Sequence, residues 1–588
     1  MSRLFVFWFL LVSPLGLAQA PPEQPQGIIS GVVVTDAGIP LQGAGVMLVP
    51  DISSKAKFEP RTSQTGETGK FTITGVPPGT YSLGASQNGY LPQAYGGARP
   101  GAPLGTPIIV QPSQEVSGLR IVMISPGVIT GQVSSATGEP VQGIGVYAVR
   151  WSYTSELYPT LYNGVRKLEQ AGIEGRTNND GAFRIWGLSP GRYFVYAEPT
   201  RNSGPSETEA GAALPTFAPN ALEVSGALAV DVFAGGTSSA NIRLRQDGTY
   251  AVRGKVVGPK GPAAGAVVVL LDPAETPILG SMGGPRDAQS AMEAMRARGS
   301  RQKYAARVQT DSEGNFTLRG VPPGKHRLLA TGGRNLNFGP WYTILPPTMT
   351  SGEGGSVLIE FEVRDEDLRD VEARLSPGAN VSLNFRFDQP PDTARKLTAP
   401  RWSLMPEHGA ALGGYSEFGQ PHELSAGRYY FAFQVPRDYY VKSVRRGGQD
   451  VTGQALMIAG GTAGFDILMA PGAGTVRGSI TDREGHSVAG ATVSLWPVAR
   501  DLSRPTGGAV TGTAGQDGSF THYSVAPGEY YVAAFEDLPD AGLGLYPDFL
   551  ARFTGQAARV KVALDGTSTA NIKIIPKADI ARVIESLP

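Results

Sequence analysis

The stretch Gly69-Lys70-Phe71, closed by Val76-Pro77-Pro78-Gly79-Thr80-Tyr81, decides how this 588-residue chain is read, because it returns three more times at the same spacing. The returns are Gly181-Ala182-Phe183 with Pro190-Gly191-Arg192-Tyr193, Gly314-Asn315-Phe316 with Pro323-Gly324-Lys325-His326, and Gly518-Ser519-Phe520 with Pro527-Gly528-Glu529-Tyr530. Each reads as a turn glycine, a strand carrying Phe, and a Pro-Gly turn into a strand carrying Tyr or His. The second glycine always stands eight residues after the Phe. A phrase that recurs at fixed internal spacing marks a repeat architecture.

Working upstream, each copy has a front half in which a glycine in a β-branched run is followed seven residues later by another: Gly31/Gly38, Gly131/Gly138, Gly254/Gly261 and Gly478/Gly485. A glycine-bearing hairpin turn explains the pairing. The Pro-Gly glycines stand at 79, 191, 324 and 528, so the last interval is nearly twice the first, and near its middle lies a worn copy, Ser425-Ala426-Gly427-Arg428-Tyr429-Tyr430. Five modules follow. Modules of roughly 100 residues with about seven short strands fit a Greek-key β-sandwich.

The expected fold is therefore all-β, with sandwich modules at 27–124, 128–244, 249–363, a degenerate 364–470, and 474–576. Linkers as short as Ser125-Pro126-Gly127 leave little slack, which predicts an elongated rod. Residues 1–20 read as a signal peptide, with Arg3, an apolar run from Leu4 to Val12, and Ala18-Gln19-Ala20 as the small-residue cleavage site. Secretion to periplasm or medium is expected, without membrane insertion.

Composition narrows the function classes. The chain has 0 cysteines, so neither disulfides nor thiolate metal sites are available and each module depends on its own apolar core. Lys plus Arg and Asp plus Glu are both 51, and loss of Arg3 with the leader leaves about −1, a poor balance for gripping nucleic acid. Gly at 78 and Pro at 47 would suit a disordered chain, yet 41% of residues are hydrophobic and the glycines hold fixed turn positions.

Two modules carry insertions ahead of the repeat phrase. Trp151 to Gly175 holds Trp151, Tyr153, Tyr158 and Tyr162, and Arg286 to Lys303 is Ala-rich and helix-prone. Loops at the end of a sandwich commonly carry binding. The candidate ligand-binding aromatics are these four together with Trp341, Tyr342 and Trp402, each of which could equally serve a core.

The combination Gly31, Gly38, Pro40, Gly69, Phe71, Pro78-Gly79-Thr80-Tyr81 and Gly89-Tyr90 resembles the carboxypeptidase regulatory-like domain. That resemblance implies a transthyretin-like (prealbumin-like) β-sandwich, related in fold to collagen-adhesin B-type repeats and starch-binding-like domains. Tyr90 to Gly96 and Pro215 to Asn220 are similar to connecting segments in long secreted proteins of Acidobacteria built from such domains. The regulatory domain accompanies metallopeptidases without performing their chemistry, so the resemblance implies a non-catalytic module.

The residues agree. The histidines, His326, His408, His422, His486 and His522, are scattered, and none forms a His-Glu-x-x-His pair. No Gly-x-Ser-x-Gly elbow offers a nucleophile. Asn178-Asn179-Asp180-Gly181, Asp311-Ser312-Glu313-Gly314 and Gln516-Asp517-Gly518 open like calcium loops, but each leads straight into a strand with no bidentate Glu, so hairpin turns account for them. No catalytic residue, metal or cofactor is expected. The leading reading is a non-catalytic secreted spacer and adhesion scaffold whose partner is a glycan or cell-surface protein. Carbohydrate binding through exposed aromatics, and service as accessory subunit of a peptidase or uptake system, are the alternatives.

Overall fold

A computed structural model of the protein describes residues 25–50, 59–97, 105–153, 167–198, 213–246, 248–271, 307–332, 356–376, 379–389, 401–406, 422–424, 427–436, 438–458, 461–502 and 507–587. The leader at 1–20 and the helix-prone stretch at 286–303 fall outside these residues.

In the first module, Gly27–Thr35 lies between Lys70–Val76, antiparallel to it, and Glu115–Met123, parallel to it. In the second sheet, Gly45–Pro50 runs antiparallel to Arg61–Gln64 and to Gly79–Ser86, whose far edge takes Ile108–Val110. The same placement, first strand between fourth and last, recurs for Gly127–Ser134, Tyr250–Gly258 and Gly474–Thr481. The phrase that defines the repeat is thus the corner at which the chain leaves one sheet for the other. Inward residues of both sheets, among them Ile29, Val33, Ile73, Leu48, Tyr81 and Ile121, form one core per sandwich.

The repeat residues each answer a physical demand. Gly31, Gly131, Gly254 and Gly478 sit opposite Phe71, Phe183, Phe316 and Phe520 across the antiparallel ladder. A β-carbon on these glycines would stand 2.2, 1.8, 2.0 and 1.7 Å from the carbonyl oxygens of Leu119, Ala240, Val371 and Ala570 on the closing strands. The same point lies 2.9, 2.7 and 2.9 Å from the rings of Phe183, Phe316 and Phe520. No larger residue fits, and the Phe ring covers the backbone that the missing side chain leaves bare.

At the sheet-to-sheet corner the Tyr81 hydroxyl donates to the Pro77 carbonyl (2.7 Å), Tyr193 to Ser189 (2.6 Å) and Tyr530 to Ala526 (2.8 Å). This is a tyrosine corner: a mostly buried ring whose polar tip ties down the preceding turn. His326 makes the same bond from Nε2 to Pro322 at 2.8 Å, which explains why imidazole can replace phenol there. A further repeat element has no counterpart in the sequence reading. Thr65, Thr177 and Thr310, each four residues before the turn glycine, are buried and accept the backbone N–H of Ala44, Ile144 and Ala266 at 2.8 Å.

Two expectations change. The third module extends past 363, because Leu368–Arg374 pairs in parallel with Tyr250–Gly258 as its closing strand, while Ser356–Val363 pairs with Gly324–Thr331 in the other sheet. Arg369, Asp370, Glu372 and Arg374 dilute the apolar alternation that would have revealed it. The fourth module, from Ala379, keeps the common topology: Ala379–Phe387 lies between His422–Leu424 and the parallel Gly461–Pro471, opposite Arg401–Pro406, Gly427–Gln434 and Leu456–Ile458. Its first strand lacks the usual glycine: Ser382 faces Gly464, and a β-carbon on Gly464 would meet only Ser382 Oγ at 3.8 Å, so the close approach of the other modules is absent at this pair. Phe385, Trp402, Tyr429, Phe431 and Phe465 fill the core.

A linear rod does not describe the fifth module either. Its residues reach back to the second, 388 positions away along the chain, as well as to the first and fourth.

Gly131→Ala should destabilise the second module by about 3 kcal/mol, since either the strand or the Ala240 carbonyl must move. Tyr193→Phe should cost about 1 kcal/mol through loss of the corner bond. Hydrogen exchange across Gly127–Ser134 in the full chain measures both, and protection unchanged by Gly131→Ala would refute the packing argument.

Candidate functional site

The structure separates the aromatics named from sequence. Trp402 is 0% exposed inside the fourth core, which removes it as a stacking platform. Tyr153 is also buried, against the fifth module. Trp151 ends the strand Gly145–Ser152 half-buried, and Tyr158, Tyr162, Trp341 and Tyr342 lie outside the described residues.

Exposed rings occur instead at Trp186, 47% accessible, and at Tyr523 and Phe233. Trp186 faces Ile173 across adjoining strands, and Tyr523 holds the equivalent place, third after the repeat Phe. That position reads Thr74, Trp186, Arg319 and Tyr523 along the chain. An outward site free to vary inside a constant phrase was the signal that could have found them.

The outer face of the second module carries a stack: Tyr147 on Tyr196 (centroids 5.3 Å apart, 19° between planes), and Tyr196 on Phe217 at 5.2 Å. Burial, then the carboxylates of Glu174 and Glu198, push the Tyr147 phenol well above its ordinary range. It therefore stays a neutral hydrogen-bonding group beside two acids and Arg176.

The acidic turns are closed on themselves. Asn178 Oδ1 accepts from the backbone of Asp180 and Ala182, Asp311 Oδ1 from Glu313 and Asn315, and Asp517 Oδ1 from Ser519. The Asp311 carboxyl is held below the usual carboxylate range chiefly by the Asn315 backbone, and Asp517 by Ser519. These are Asx turns. Among the described residues no group of three or more His, Asp or Glu could hold a metal ion. His486 pairs with Asp482 at 3.1 Å on the surface. His522 is different: it occupies the core position filled by Ile73, Ile185 and Leu318 in other modules, and burial lowers its pKa from 6.5 to about 4, opposed by a hydrogen bond to the Val493 backbone.

Between modules the contacts are specific. Asp540, 4% exposed, accepts from Ser152 Oγ and from the Tyr153 backbone N–H, both at 2.8 Å, while its other oxygen accepts from Gly542 at 2.8 Å. The Tyr153 ring lies 4.8 Å from that of Tyr546. Burial pushes the Tyr95 phenol of the first module up, and the Gln516 side chain of the fifth opposes that push. Nearby, a β-carbon on Gly490 would meet Thr106 Oγ1 at 3.0 Å. At the fourth module, Ser524 Oγ lies 3.5 Å from the Asp438 N–H. Ser524 adopts φ 57, where Gly75, Gly187 and Gly320 have φ 71, 78 and 71, so the junction has put a side chain where the repeat uses glycine.

Comparison with known proteins agrees with the sandwich reading of the first module. The family model of the carboxypeptidase regulatory-like domain matches residues 28–123. No curated protein matches the chain. Solved structures similar to parts of it include the minor pilin of Streptococcus agalactiae, at 16% identity over 38% of this chain and 96% of that one, TM-score 0.21. Another is the major pilin subunit of Bacillus cereus, at 10% identity over 60% and 100%, TM-score 0.15. A third is the TIE protein of Bacillus anthracis, at 11% identity over 73% and 69%, TM-score 0.14. With TM-scores this low, the architecture rests on the sheets described above.

His522 is neutral in the folded module, and the unfolded chain takes up its proton first. Its contribution is complete above about pH 6.5 and is lost as pH falls toward 4. His522→Leu should therefore reduce the stability difference of the fifth module between about pH 7 and pH 4.5 by about 2 kcal/mol. Denaturant unfolding at the two pH values reads this out; an undiminished difference would refute it.

Proposed function

We propose that this protein is a non-catalytic extracellular scaffold, in which tandem sandwiches hold surfaces of the chain at set positions for a cell-surface partner. The observation that carries the reading is a division of labour. Repeat residues are consumed by strand pairing, corner bonds and turn closure, and the junction residues Asp540, Ser524 and Gly490 lie where modules meet one another. Among the described residues, the polar side chains of the corners, the Asx turns and the Asp540 junction are engaged in holding the fold together. Secretion through the leader at 1–20 belongs to the same proposal.

A second reading, carbohydrate binding, is favoured by Trp186. Its exposed ring shares the outward face of Ala182–Leu188 with Arg184, which offers a flat apolar surface beside a hydrogen-bond donor. It no longer draws on Trp402 or Tyr153.

Purified protein lacking residues 1–20 should show no peptidase or glycosidase turnover on broad substrate panels, and turnover at any rate that survives repurification would overturn the scaffold reading. On a glycan array, retention lost on Trp186→Ala supports the second reading, and no retained sugar sinks it.

A further inference from the structure

The fifth module carries parts that its seven strands do not require: Ala541–Leu545 and Pro547–Ala551 between its fifth and sixth strands, and the helix Lys577–Glu585 after its last. These pieces surround a second apolar cluster, separate from the sandwich core, built from Trp496, Phe535, Leu543, Phe549, Phe553 and Ile580. Tyr153 of the second module belongs to that cluster. The cap therefore has a seat whose occupant comes from another module.

The seat offers the second module a polar anchor at Asp540. Asp540 starts the turn Ala541–Leu545 and spends one oxygen on Gly542, within its own module. The other oxygen receives the Ser152 hydroxyl and the Tyr153 N–H. A buried carboxylate oxygen needs donors, and charge-assisted bonds of this kind are the strong ones. Without the second module, that oxygen would lose both of these donors, and the apolar cluster would lose the Tyr153 ring that packs against Tyr546.

We propose that the helical cap of the fifth module is a docking site for the Ser152-Tyr153 segment of the same chain, forming an intramolecular latch between the second and fifth modules. The supporting argument is connectivity. Modules three and four tether the two halves, so closing is a unimolecular step at high effective concentration and does not depend on how much protein is present. The first module also meets the fifth, at Thr106 and Gly490, so opening the latch alters what a third module can reach.

The chain has no cysteine, so Asn179→Cys and Gln556→Cys, both at exposed positions, give two unique labelling sites in full-length protein. Distances between labels should form one narrow distribution that survives about a hundredfold dilution. Ser152→Ala with Tyr153→Ser should shift the open-to-closed ratio about tenfold or more toward open, giving a longer and broader distribution while the fifth module's unfolding transition persists. Asp540→Asn, which keeps the side-chain shape, should shift it in the same direction and guards against misfolding of the double variant. A broad distribution in the parent, no shift in either variant, or a short distance in mixtures of singly labelled chains, meaning docking between copies, would each overturn the latch.

Discussion

Every glycine-paired sandwich in this chain depends on one tight approach: the first strand is held between two neighbours so closely that a carbonyl of the closing strand occupies the space of a β-carbon. The glycine there is a condition of closing the first sheet, and the facing Phe restores the apolar contact that the glycine gives up. Once that sheet is set, the chain must cross to the other at the Pro-Gly corner, which the Tyr or His tip fastens. The fourth module closes without that approach at Ser382 and Gly464, where a β-carbon would have room, and fills its interior with rings.

Much of this was legible in the residues because the constraints fall on glycine, proline and aromatic types whose spacing survives when the rest drifts. The sandwich class, the hairpin turns and the Asx character of the acidic loops could be read that way. What escaped has a common cause. The closing strand Leu368–Arg374 carries charges on a half-exposed edge, so its pattern says loop while its ladder says strand. Whether Trp402 faces in or out depends on which strands surround it, which no local pattern encodes. Ser152 and Asp540 could not be paired from sequence at all, being unremarkable polar residues 388 positions apart. Ser524 was visible only as an exception, a serine where three other modules have glycine.

These differences sort the chain into two kinds of information. Residues that repeat specify how one sandwich closes; residues that break the repeat specify how sandwiches meet each other or the outside. Trp186 and Tyr523 replace Thr74 and Arg319 at an outward position, Gly490 lies against the first module, and the capping pieces of the fifth receive Tyr153. The exceptions, and not the motif, distinguish this protein from any other string of similar modules.

The parallel pairing of first and closing strands has a mechanical meaning. In the fourth module it runs in register from Ala379 opposite Gly461 to Phe387 opposite Met469, and in the fifth from Thr475 opposite Thr567 to Thr481 opposite Lys573. A pull on a module's two ends drags these strands past each other along their length, so the ladder bonds between them are strained together and not peeled one at a time. Tension along the chain would meet its resistance in shear, at the very strands that the paired glycines allow to lie so close.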